Sequence, residues 1–344
     1  MPCRFRPATI TLALTAALTA ACDGSIPDDP GELEFRDSAG QGGPVFNTPK
    51  IFTSEVAAVD TQGQALAGVV LVDVKIDEGG GQYTSIDAGS LDVDHGTLMA
   101  LVGGSLIEGG AFIGSQWTFD VKGDSVTAQL TTVVTSDVAG LWDPGSINEL
   151  RKLDPERLVY TFEWFDGDVW HTTCEEDAVG GAWTVLFGDI VVNHKLGNIS
   201  ARPNTVYFGC ISGAVGKAAL WGYAPDSPSE ASVPLPAFTT ATRMVRADYC
   251  ADGVPHTNVG NPVAMRDRWA INDFDAAPVI FTTEAVWQVG GRAKCLRKMR
   301  DTGALLIVDH VCANGQVIPR CSSDAVIENR WTTLSYGDLW TKTP

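Results

Sequence analysis

Positive charge is scarce in this sequence: 24 lysines and arginines stand against 42 aspartates and glutamates, a formal net charge of −18 over 344 residues. So acidic a surface repels phosphate backbones, which argues against nucleic acid as a partner. Several enzyme signatures are missing too. There is no Gly-x-Ser-x-Gly elbow for a serine hydrolase, no P-loop and no dinucleotide fingerprint, so no bound cofactor is expected. No Cys-x-x-Cys spacing or Cys/His cluster suggests zinc, and no metal site is expected. Repeats of solenoid length are absent, which excludes a stacked-repeat architecture.

What is present begins with the N-terminus. In "MPCRFRPATITLALTAALTAAC", Arg4 and Arg6 precede an apolar run from Ala8 to Ala21, and polar "DGSIPDDPGE" follows Cys22. The run is shorter than the ~20 residues of a spanning helix and reads as a secretion signal. Leu18-Thr19-Ala20-Ala21-Cys22 also resembles a bacterial lipobox, with Thr19 where leucine is usual. Lipidation at Cys22 is therefore expected, giving a membrane partner through a lipid anchor at the bacterial cell envelope; ordinary cleavage after Ala21 is the alternative. Loss of residues 1–21 removes two arginines and no acid, so the mature net charge becomes −20.

Cysteine usage follows from export. Cys3 leaves with the signal and Cys22 goes to lipid, which leaves Cys174, Cys210, Cys250, Cys295, Cys312 and Cys321. An even number in an oxidising compartment predicts three disulfides, with fifteen possible connectivities. Cys312 and Cys321 are near enough in "CANGQVIPRC" to close a small loop.

The pattern along the chain predicts an α+β fold, mainly β, of antiparallel strands and hairpins, with two short helices in a disulfide-stapled C-terminal part. Residues 22–50 read as an acylated cysteine and flexible tether, 51–165 as a β-rich part, and 166–344 as the stapled part. Val72, Val74 and Ile76 alternate with charged residues as in a half-buried strand. "WTFDVKGDSVTAQL" predicts two strands about Gly123-Asp124, and Asp166-Gly167 suits a type I′ turn. A short helix is expected to end at Gly222, and a second over "FTTATRMVRADYC", after the Pro/Ser-rich connector "DSPSEASVPLPAF". "PVIFTTEAVWQV", "ALLIVDHVC" and "RWTTLSYGDLW" read as strands.

One stretch concentrates chemistry: "TRMVRADYCADGVPHT", Thr242 to Thr257, holds Arg243, Arg246, Asp248, Tyr249, Cys250 and His256. A cysteine nucleophile with His256 as base and Asp248 as orienter would need a free thiolate, which export disfavours. A metal site from Asp248, Asp252 and His256 matches neither an EF-hand nor a helical zinc spacing. The structural reading has Cys250 as a staple, the arginines paired with carboxylates such as Asp248, Tyr249 packed with its hydroxyl satisfied, and Asp252-Gly253 as a turn. Elsewhere, Asp92, Asp94 and His95 alternate across a strand and cannot converge. Arg292, Lys294, Lys298 and Arg300 would share a strand face, as a solvated face or an anion site. The ten tryptophans suit a core or a glycan-binding face, and catalytic carboxylate pairs have no identifiable members.

Ala247-Asp248-Tyr249-Cys250, the upstream "VYFGCISGAVGKAALWGYAP" and the downstream "EAVWQVGGRAKCLRKMR" resemble the ordered blocks of the ADYC domain family over roughly residues 165–325. The family is a bacterial exported domain of unknown function, often on lipoproteins. Family members often carry cysteines where this chain has Ala218 and, at about Ala241, another alanine, which implies one disulfide lost as a pair. The resemblance implies the pairings Cys174–Cys210, Cys250–Cys295 and Cys312–Cys321. The resemblance implies little about function; the reading of the whole sequence is a noncatalytic binding or structural module with an unidentified envelope-protein or glycan partner. Catalytic residues stay unassigned; a hydrolase using carboxylates or His256, or a metal-dependent module, is the alternative.

Overall fold

The computed structural model describes residues 48–344 apart from residues 52, 55, 142–155, 178–180, 226–232, 275–279 and 335. The expected signal, Cys22, most of the tether and the front of the Pro/Ser-rich connector lie outside the described residues.

Among the described residues the chain is mainly antiparallel β with three short helices. Strands β1 (Ala58–Asp60), β2 (Val69–Gly79) and β3 (Gln82–Ser85) come first, and β4 (Asp92–Asp94), β5 (Thr97–Val102) and β6 (Ser105–Glu108) form a small separate sheet. Next come β7 (Gln116–Val121), β8 (Asp124–Thr135), β9 (Leu158–Phe165), β10 (Trp170–Thr172), β11 (Thr184–Val192) and β12 (Ile199–Cys210). The large sheet runs laterally β1-β12-β11-β9-β8-β7-β2-β3, with β10 added on β9. It passes through residues 165 and 166 without a break, because the β9–β10 hairpin spans them and β11 and β12 continue it.

Local chemistry moves several expected details. In β2 the inward residues are Val69, Leu71, Val74 and Ile76, whereas Val72 is 59% exposed. The register against β7 shifts between Leu71 and Asp73, and such a bulge reverses the face of the residues on one side of it. The β7–β8 turn falls on Lys122 and Gly123, one residue early, both in the left-handed region at φ 57° and 101°. The β9–β10 loop has four residues rather than two, since Phe165 pairs with Trp170. Asp166 closes it by accepting the amides of Asp168 (2.7 Å) and Val169 (2.8 Å).

Alternation gives the large sheet two buried faces. Tyr160, Phe162, Leu186, Val206 and Phe208 point one way, into a core shared with Val93, Leu98 and Ala100 of the small sheet. Trp117 and Phe162 meet edge-on there at 5.6 Å, and Phe162 and Phe208 at 5.4 Å. Val159, Val185, Phe187 and Tyr207 point the other way, onto the helices. These are α1 (Ala214–Ala218), continued by a wider turn through Ala219–Tyr223, and α2 (Leu235–Arg246). Gly222 ends the first at φ 89°, as expected.

A second sheet, ordered β13-β18-β14-β15, completes this layer from β13 (Ala264–Asp267), β14 (Thr282–Trp287), β15 (Ala293–Leu296) and β18 (Leu339–Thr343). Two strand expectations fail nearby. Of "ALLIVDHVC" only β16 (His310–Val311) is a strand, paired with β17 (Val317–Ile318), because its aliphatic run offers no buried face. "RWTTLSYGDLW" begins inside α3 (Asp324–Leu334), which buries little besides Ile327 and so leaves no apolar stripe to read.

The disulfides are Cys174–Cys210, Cys250–Cys312 and Cys295–Cys321. The first is as expected; the pairings Cys250–Cys295 and Cys312–Cys321 are not formed. Val311 pairs with Val317, so "CANGQVIPRC" folds into a hairpin with Cys312 near its tip and Cys321 beyond its base. Leu296 accepts the Cys321 N–H at 3.1 Å and donates to Pro319 at 3.0 Å, which lays Cys321 beside Cys295.

Candidate functional site

The chemistry-rich stretch forms the end of α2 and the turn beyond it. Ala247 takes the left-handed conformation at φ 53°, and Asp248 N–H reaches back to the Arg243 carbonyl at 2.9 Å, which terminates the helix. The fully buried Asp248 carboxylate accepts the amides of Asp252 (3.1 Å) and Gly253 (3.0 Å) and faces Arg246 at 3.4 Å. Arg246 donates to the carbonyls of Gly253 (2.6 Å) and Pro49 (2.8 Å), tying the incoming chain to the turn. Gly253, at φ 86°, is required: a Cβ there would lie 2.0 Å from the Lys195 carbonyl oxygen. Asp252-Gly253 is thus the expected turn.

Tyr249 points into the core, stacked between His256 and Trp287 at 5.5 Å from each. Its hydroxyl donates to Glu284 at 2.6 Å and accepts the Arg300 N–H at 3.1 Å. Glu284 and Arg300 form a buried two-pronged pair at 3.0 and 2.8 Å. Arg300 also donates to the Met244 (2.8 Å) and Val245 (3.2 Å) carbonyls in the last turn of α2, the first of which accepts the Ala247 N–H as well, at 3.2 Å. Arg300 therefore belongs to neither a solvated face nor an anion site. Arg243 serves the carbonyl of Gly291 (2.8 Å) and the side chain of Asn198 rather than a carboxylate bridge.

Electrostatics match this enclosure. Burial raises the Asp248 carboxyl above its ordinary range, with Arg246 opposing the shift, and burial lowers Arg243 and Arg246. Burial first, then the Glu284 charge, pushes the Tyr249 hydroxyl well above its usual value, which keeps it a neutral donor. Cys250 is bonded to Cys312, so it offers no thiolate, and Asp248 is spent on the turn instead of orienting His256. His256 faces Asp301 at 3.6 Å. Among the described residues, Cys250, His310 and Cys312 bring potential metal donors within 4.8 Å of one another, but two of these are sulfurs already bonded together. Asp248, Asp252 and His256 form no such group among the described residues. Asp94 and His95 pair in solvent at 2.7 Å.

A different place has the shape of a binding site. A cleft of about 550 Å³ opens along the large sheet beside the β9–β10 hairpin. Its apolar wall is Phe119, Val121, Val126 and Ala128 from β7 and β8, closed by Trp164. His171 stacks on Trp164 at 4.8 Å and is held by Asp166 at 2.8 Å. Thr53, Ser54, Thr172, Thr173 and Glu175 supply a polar rim. The sequence pattern predicts this hairpin only as a strand pair; the signal for the cleft is Trp164 and His171 on neighbouring strands.

A sequence model of the ADYC domain matches residues 109–302, more than half of the chain. The chain belongs to the ADYC domain family. No curated protein and no solved structure matches it. The ADYC match reaches further upstream than the blocks around Cys250, taking in β7 to β9 and hence the cleft wall. It stops before Cys312 and Cys321, whose partners lie inside it. Ala218 and Ala241 are both fully buried in the core of α1 and α2.

Proposed function

We propose that this ADYC protein is an exported, lipid-anchored, noncatalytic binding module of the bacterial envelope, and that its ligand occupies the cleft beside the β9–β10 hairpin. One observation carries the reading. The family signature turns inward to fasten a helix end, while an apolar-walled, hydroxyl-rimmed cleft of ligand size opens elsewhere. The three disulfides support an oxidising compartment, and no helix among the described residues is long and apolar enough to cross a membrane. The cleft suits a compact ligand with an apolar face for Phe119, Val126 and Trp164 and a polar edge for the threonines. Titration with the fluorescent probe N-phenyl-1-naphthylamine tests it: saturable binding should weaken at least about tenfold in Val126→Glu and persist in His256→Ala. Loss in His256→Ala alone would favour a site at the signature. Metabolic labelling with an alkyne fatty acid should mark the chain and fail in Cys22→Ser.

A further inference from the structure

Five large aliphatic side chains stand in solvent within one short segment: Leu305 (60% exposed), Ile307 (83%), Val308 (67%), Val311 (64%) and Val317 (47%). Val311 and Val317 are direct partners across β16 and β17, so they share a face; Ile318, on the other face, is fully buried. The segment is held in place. Leu306 donates to the Arg297 carbonyl at 2.8 Å, Asp309 accepts the Arg320 N–H at 2.8 Å, and Cys312 is bonded to Cys250. An apolar surface fixed this firmly in solvent marks an interaction site.

Local charge reverses here as well. From Arg292 to Arg320 the sequence has six basic and two acidic residues, in a chain of net charge −18. Arg300 is consumed by Glu284 and Arg297 pairs with Asp324, but Lys298 bridges opposite Leu305 and Arg320 adjoins Asp309. The N-terminal chain arrives at the same end. Arg246 holds Pro49, and Cys250, four residues on, is bonded to Cys312 at the hairpin tip. Residues 23–47, which separate Cys22 from Thr48, join the chain at this end.

We infer that the stapled segment 305–317 docks on an anionic lipid bilayer. Its aliphatic side chains enter the headgroup boundary, and Lys298 and Arg320 meet lipid phosphates. The inference rests on the envelope reading only for bringing the bilayer within reach; the surface is tested without the anchor. The exported chain from residue 23 onward retains every described residue and suits vesicle flotation. It should bind phosphatidylcholine vesicles containing about three parts in ten phosphatidylglycerol, and bind pure phosphatidylcholine several-fold less. Ile307→Ser/Val308→Ser and Lys298→Glu/Arg320→Glu should each lower partitioning at least about tenfold, with melting temperatures unchanged. Equal flotation of the wild type and Ile307→Ser/Val308→Ser would overturn the inference. So would a concentration-dependent dimer in sedimentation equilibrium that the same variant abolishes, which assigns the surface to a second copy. Missing acyl label with flotation intact refutes the anchor alone.

Discussion

Removing one charge inside the signature network separates a structural motif from a functional one. Glu284 is fully buried; its two oxygens take both prongs of Arg300, and one also receives the Tyr249 hydroxyl. Glu284→Ala leaves the Arg300 guanidinium desolvated without its counter-charge, a situation that costs about 3–5 kcal/mol. Tyr249→Phe deletes one hydroxyl bonded to a charged acceptor and should cost about 1.5–3 kcal/mol. Glu284→Leu/Arg300→Met removes both charges, so its cost should fall well below the sum of the single changes. It keeps a remainder of about 1–3 kcal/mol, because the Val245 carbonyl loses its Arg300 donor and the Met244 carbonyl keeps only the Ala247 N–H. Guanidinium unfolding under non-reducing conditions gives these three values and those of the single changes Glu284→Leu and Arg300→Met. If Glu284→Ala costs less than about 1 kcal/mol, or the double variant costs the full sum, the buried-network account is wrong.

Three further outcomes follow from the same fold. Gly253→Ala should destabilise by about 2–4 kcal/mol, since its left-handed backbone and the Lys195 carbonyl both oppose a Cβ; an unchanged unfolding midpoint would contradict the turn. Asp166 is held at about 2, below its ordinary 3.8, first by the Val169 amide and then by His171. The loop it closes should therefore be fully stabilised above pH 3.8 and released as pH falls through about 2. The Trp170 indole NMR shift should move in that window in the wild type and stay flat in Asp166→Asn. Peptide mapping by mass spectrometry should recover Cys250–Cys312 and Cys295–Cys321, and recovery of Cys250–Cys295 would refute the hairpin placement.

The signature's structural character was legible because compartment and cysteine count together made Cys250 a staple. The helix was legible too, from the spacing of Phe238, Thr242 and Val245, but its expected run through Tyr249 to Cys250 is cut short at Arg246 by the left-handed Ala247. What the pattern concealed depends on long-range geometry. Glu284 and Arg300 lie 35 and 51 residues from Tyr249 in sequence, and nothing local couples them beyond a lone acid in an apolar strand. Val72 misled because a bulge changes facing without changing composition. The cleft is assembled from β7, β8, β10 and the segment at Thr53, so no single stretch announces it.

The connectivity of the last four cysteines is interleaved, since Cys250 joins Cys312 while Cys295 lies between them and joins Cys321. A chain crossing a membrane N-terminus first presents Cys250 and Cys295 together before either true partner has emerged. Oxidation in order of arrival would join those two and trap an incorrect isomer. If the chain is exported as proposed, escape from that isomer would run through thiol–disulfide exchange, in a mixed disulfide that lets Cys250 exchange Cys295 for Cys312. An isomerising dithiol would then raise the yield of natively paired chain.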